Sequence, residues 1–201
     1  MGASGWLRGK VARLRHFHQV AEVGEIARRY FAMNAFDGVL TTLGVLAGGY
    51  VGDVHSPRAI ASVGLATGVA MGVSGFYGSY LVERAERDRS LRELEESTLS
   101  SLGDSDIASA STYATIVIAI VDGASPFAAA ILALLPFFFV GAANIHVAYY
   151  AGVAVAFAEL LLLGVFLGRV SRRRLLLSAL KLALAGVVCL ALSLAIDLGL
   201  R

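Results

Sequence analysis

The stretch 31-FAMNAFDGVLTTLGVLAGGYVG-52 is apolar and glycine-rich, and it carries one acid, Asp37. A hydrocarbon core of ~30 Å asks for ~20 apolar residues of helix, so this stretch reads as a membrane span. An ionisable side chain at the centre of a span costs roughly 2.5–3.5 kcal/mol on insertion scales, and such a group usually faces a partner or a water-filled path. Working outward, Asn34 stands one helical turn before Asp37 and Thr41 one turn after it, so the three make a polar stripe on an otherwise apolar helix.

Five segments have the length and hydropathy of spans: about 30–52, 58–82, 112–138, 144–168 and 175–198. The chain is 57% hydrophobic and only 16% charged, against about 25% charged in soluble domains. The sequence therefore predicts an all-α integral membrane protein with five transmembrane helices. It divides into an N-terminal basic amphipathic segment, 1–29, and a transmembrane domain, 30–201, with a short cytoplasmic helix at 83–102. The first thirty residues lack a continuous apolar core and a small-residue cleavage site, so no cleavable signal peptide is expected. Cys189 is the single cysteine, which excludes a disulfide within the chain.

The basic residues set an expected orientation. Of 17 Lys and Arg, six precede the first span (Arg8, Lys10, Arg13, Arg15, Arg28, Arg29), four follow the second (Arg84, Arg87, Arg89, Arg92) and four follow the fourth (Arg169, Arg172, Arg173, Arg174). The other side holds Arg58 and Arg201, with Lys181 able to snorkel from the fifth span. Positive charge concentrates on cytoplasmic loops, so the N-terminus is expected inside and the C-terminus outside. This placement serves membrane topology, and no nucleic-acid partner is expected.

Local patterns refine the picture. Trp6, Leu7, Val11, Leu14 and Phe17 recur at helical spacing opposite Arg8, Arg13 and Arg15, as in a helix lying in the headgroup layer. His16 and His18 fall on different faces of such a helix and read as solvated, as do Asp53 and His55 in the turn between the first two spans. Gly44, Gly48 and Gly52 in the first span, and Gly64, Gly68 and Gly72 in the second, form small-residue stripes suited to close packing of the two spans or to a dimer across one of them. Beyond Leu81 the second helix is expected to leave the membrane with the pairs Glu83 to Arg87, Arg89 to Glu93 and Arg92 to Glu96, and to end at Gly103. Asp104 or Ser105 would then cap the third span, which Pro126 and Pro136 are expected to interrupt.

The pair Asp37-Gly38 recurs as Asp122-Gly123, and the separation from Asp37 to Arg84 equals that from Asp122 to Arg169. Spans one and two therefore read as a helical hairpin repeated in spans three and four, a parallel duplication about an axis along the membrane normal.

Depth brings the acids to one level. At 1.5 Å per residue Asp37 lies roughly 12 Å above Arg29 and Glu159 roughly 15 Å above Arg169, with Asp122 placed similarly. None has a basic partner in the bilayer, which suits oxygen ligands for a divalent cation, or proton carriers, better than salt bridges. Met71, roughly 20 Å above Arg84, adds a thioether that favours softer transition metals over magnesium or calcium. Asn34 offers an amide oxygen. The alternative for Asp37 and Asp122 is a hydrogen bond to a neighbouring helix, and for Met71 simple packing.

The runs DGVLTTLGVLAGG, AMGVSGFYGSYLVERAERD and VDGASPFAAAILALLPFF resemble the vacuolar iron transporter family, particularly its short prokaryotic members. The resemblance covers most of residues 30–199. It implies a homodimer whose first spans line a path between subunits, exporting ferrous iron, or manganese, from the cytosol in exchange for protons. The family's transmembrane aspartate falls on Asp37 and its second-span methionine on Met71. Two features depart from the pattern. The short helix at 83–102 stands where the family has a long glutamate-rich cytoplasmic domain, leaving Glu83, Glu86, Glu93 and Glu96 as a metal-capturing remnant or as a plain salt-bridged helix. The carboxylate expected near the methionine is also absent, a charge that Glu159 or Asp122 would supply.

The expected function is thus a proton-coupled divalent-metal transporter in the cell membrane of a prokaryote, with the lipid bilayer, protons and a second copy as partners and no resident cofactor. A membrane scaffold assembled by the glycine stripes, or a transporter of a non-metal cation, are the rival readings. No nucleophile and base, and no metal-hydrolase spacing, points to an enzyme.

Overall fold

The structure, a computed structural model, describes residues 23–103, 105–141 and 144–200, with the side chains of 197–200 left aside. The expected amphipathic segment lies outside the described residues except for 23–29, as do His16, His18 and Asp104. Among the described residues six helices follow one another: α1 Val23–Val51, α2 Pro57–Thr98, α3 Asp106–Leu134, the four-residue α4 Pro136–Phe139, α5 Ile145–Val170 and α6 Leu175–Leu200. The described residues contain no strand. Five of these helices, all but α4, are long and apolar enough to cross a membrane. They fit an integral, multi-pass membrane protein.

The helices differ from the expected spans at their ends. Residues 23–29 are the first two turns of α1 rather than part of a separate segment. The second span and the exposed helix after it are one helix, α2, which stops at Thr98 with Leu99 in the left-handed region (φ 51°), ahead of the expected stop at Gly103. Ser105 caps α3 by accepting the backbone N–H of Ala108 at 3.2 Å. Pro126 does not interrupt α3, which runs through it and breaks only before Pro136. A proline is tolerated inside a span where neighbouring groups re-satisfy the freed backbone.

The chain forms two compact units. Of the described residues, the first takes in those up to Phe31 and those within Ser74–Gly123, the second Ala32–Val73 and those from Ala124 onward. In the first unit Val23 of α1 is buried against Ala114 and Ile118 of α3. A polar tie joins α1 to α2: the Tyr30 hydroxyl donates to one Glu83 oxygen at 3.1 Å, and Arg87 donates to the other at 3.3 Å. Further along α2, Arg89 donates to Glu93 at 2.9 Å and Arg84 lies 3.5 Å from Asp88. The expected Arg92 to Glu96 pair is not made, and both residues are exposed.

In the second unit α1, α3 and α5 share one core. Val39, Leu43, Ala129, Ala133, Ala156 and Leu160 are buried together, and Leu182, Cys189 and Leu190 of α6 pack on them. Between such apolar helices in lipid it is van der Waals packing, more than exclusion of water, that holds them together. Small residues set how closely they approach. A methyl group at Gly164 of α5 would run into the Ala179 backbone of α6, so these two helices lie tightly side by side.

Candidate functional site

The polar stripe of α1 turns away from the core of its unit. Ala35, Val39, Leu43 and Leu46 of α1 are buried, whereas Asp37, on the opposite side, is exposed, with Asn34 and Thr41 half-buried beside it. Asp37 makes no hydrogen bond or ion pair with any described residue. A methyl group at Gly44 or Gly48, which continue the same face, would meet no atom within 4 Å. Among the described residues of this unit, nothing packs on Gly44 or Gly48, and Asp37 beside them is exposed.

The two expected glycine stripes do different things. Gly64 of α2 lies against Leu134 and Gly68 against Ala130 and Phe127, so the second stripe packs on α3 rather than on α1. Within the second unit α1 meets α2 at Gly49, which lies against Ile60. In the first stripe, Gly44 and Gly48 pack on nothing.

Contacts within the second unit also fix depth. Counting twelve residues back along α1 from Gly49 and eleven forward along α2 from Ile60 reaches Asp37 and Met71, which therefore share a level. Gly152 of α5 meets Leu46 of α1, and counting from that contact puts Glu159 within about one helical turn of Asp37. In this unit Asp37, Met71 and Glu159 thus lie near one level, although rise per residue put Met71 at a different height from the acids, and they are not gathered into one cluster. Among the described residues no group of three or more His, Cys, Asp or Glu is arranged to hold a metal ion. Met71 is half-buried on the side of α2 that carries Gly64.

Glu159 stands on the inner side of α5, with Ala156 and Leu163 of the core one turn to either side. Both its carboxylate oxygens are buried, and neither has a hydrogen-bond partner among the described residues. A polar group buried in this way destabilises the fold by about 1–3 kcal/mol relative to an apolar one of similar shape. Glu159→Leu is accordingly expected to raise the melting temperature by ~2–10 °C, measured by thermal unfolding in detergent. A lower melting temperature would show that the carboxyl has a stabilising partner in the assembled protein.

In the first unit, Asp122 is buried (5% exposed). The four glutamates of α2, read from sequence as either a metal-capturing remnant or a plain salt-bridged helix, do not act alike. Glu83 is engaged by Tyr30 and Arg87, and Glu93 by Arg89, whereas Glu86 and Glu96 are exposed. A feature that sequence reasoning missed lies in the second unit, at Gly38. A methyl group there would lie 2.5 Å from the carbonyl oxygen of Pro126, so α1 and α3 touch backbone to backbone one residue after the acid. The signal was present in the repeated Asp-Gly pair.

Aromatic residues of the second unit gather at the end of α5 opposite Arg169. The Tyr149 hydroxyl donates to the Val54 carbonyl at 2.9 Å, Tyr50 and Tyr150 share a hydrogen bond of 3.1 Å, and the His55 and His146 rings meet edge to face at 5.9 Å. Tyrosines in such a position are those of a membrane–water interface.

No family model matches the chain. It is 31% identical over 172 residues to the uncharacterized protein MJ0645 of Methanocaldococcus jannaschii, an alignment that takes in 84% of this chain and 87% of that protein. With that identity over nearly the whole of both chains, this protein belongs to the family of MJ0645.

Proposed function

We propose that the protein is a homodimeric, proton-coupled transporter that moves a divalent transition metal, Fe2+ or Mn2+, out of the cytosol. The observation that carries this reading is Asp37, a carboxylate held in the middle of a span on an exposed face that also bears two open glycines. The resemblance to vacuolar iron transporters supports it from the sequence side. The N-terminus lies in the cytoplasm, the two Asp-Gly hairpins are repeats of one another, and the first spans of two copies face each other across the metal path. Asp37 is the principal ligand. Met71 and Glu159, at its depth, help to bind the metal or carry protons, and protons arriving at the acids neutralise the charge that holds the cation and release it.

The test is metal uptake into liposomes holding purified protein, comparing Fe2+, Mn2+ and Zn2+ with and without a pH gradient. Flux that follows the gradient is expected, and absence of flux for every metal in folded protein would remove the proposal.

The open glycine face equally fits the scaffold reading, in which assembly is the function. Gly48→Leu bears on the dimer that both readings need. Because a methyl at Gly48 meets none of the described residues within 4 Å, the monomer is expected to keep its melting temperature within ~2 °C, while size-exclusion chromatography shows dimer giving way to monomer. An unchanged dimer would place the subunit contact elsewhere.

A further inference from the structure

At the end of the second unit opposite Arg169, the start of α2 and the α4 segment enclose an open groove of about 1150 Å³. That exceeds the ~300–1,000 Å³ of pockets for small molecules. Its walls are of two kinds. Arg58 and Ser62 bring a cation and a hydroxyl from α2, while Leu65 and the aromatic shelf of Phe138 and Phe139 supply an apolar side. Phe139 is 83% exposed and Phe138 52%.

Arg58 is out of place by the rules that govern the rest of the chain. Basic residues crowd the other ends of the spans, and this end is nearly bare of them. Its guanidinium makes no hydrogen bond or ion pair with any described residue. The nearby acid, Asp53, is beside His55, with the ring nitrogen and a carboxylate oxygen 3.7 Å apart. The described side chains at this end offer no other carboxylate, so a second copy of this surface would bring little to neutralise Arg58. An anion from outside the chain would.

The groove also lies where α2 begins and α3 gives way to α4, at the level of the tyrosines that mark an interface. There a phosphodiester and an acyl chain are found in one molecule. We infer that the groove seats an anionic phospholipid, with its phosphodiester on Arg58 and Ser62 and its acyl chain along Leu65, Phe138 and Phe139. This stands independently of what the protein transports.

Native mass spectrometry of the full-length protein with added phosphatidylglycerol or phosphatidylcholine tests it. Wild type is expected to retain phosphatidylglycerol preferentially. Arg58→Gln, an exposed position whose folding is checked by its melting temperature, is expected to lose roughly five- to tenfold of that retention. Arg172→Gln, at the opposite end, is expected to leave it unchanged. Equal retention of the two lipids, or phosphatidylglycerol binding that survives Arg58→Gln, would overturn the inference. So would a change in the monomer–dimer ratio of Arg58→Gln with its lipid retention intact, which would make the groove a subunit contact.

Discussion

Asp37→Asn is expected to abolish metal flux, by at least roughly a hundredfold in liposomes, while the protein elutes and melts as wild type does. The second half of that expectation comes from the environment of the residue. Asp37 is exposed, and it makes no hydrogen bond or ion pair with any described residue, so the nearly isosteric amide disturbs no contact among them. Substitutions at such positions usually change stability by less than ~0.5 kcal/mol. What the amide removes is the charge, and with it, on the proposed transport reading, the means of holding a divalent cation in a low-dielectric layer. The scaffold reading makes the opposite forecast, in which the acid locks helices of an assembly together and its loss changes elution before it changes flux. Normal flux through Asp37→Asn would take the acid out of the transport path.

The positions of the spans were legible because a bilayer imposes length and hydropathy on each segment separately. Rise per residue converts sequence distance to height, which put Asp37 and Glu159 near one level but gave Met71 a different height. Partners were less legible. Gly64 and Gly68 form as regular a stripe as Gly44 and Gly48, yet one packs on α3 and the other is open. In lipid the tails are as apolar as leucine, so side-chain chemistry barely distinguishes a packed face from a lipid-facing one, and shape decides. The same limit hid the isolation of the Glu159 oxygens, which depends on what other helices fail to bring near them. Arg58 could have been singled out, because a lone arginine at the cation-poor end was visible in the count. Only the fold showed the groove beside it.

Gly38→Val is expected to be among the most damaging single changes in the membrane region, comparable to a side chain at Gly164. A side chain at this position meets the Pro126 carbonyl oxygen at 2.5 Å and its Cα at 2.6 Å, both backbone atoms that no rotamer change can move aside. Overpacking a well-filled site typically costs about 1–3 kcal/mol and sometimes more, or ~3–10 °C in melting temperature even for Gly38→Ala. Gly44→Ala is the control, since the added methyl meets nothing within 4 Å. It is expected to be neutral or slightly stabilising, as alanine is the better helix former by about 1 kcal/mol. The contrast bears on function as well as on folding. One residue is about 100° of helix, so the glycine that seats α1 on α3 also fixes the direction in which Asp37 points. The first unit repeats the device: a methyl at Gly75 of α2 would come within 3.4 Å of Gly123, the glycine that follows Asp122. In each unit, then, an acid followed by a glycine couples a charge to a close helix contact. If Gly38→Ala melts as wild type and transports as wild type, that coupling is absent and the repeated pair carries no structural meaning. If flux falls further than stability does, the contact is what aims the carboxylate.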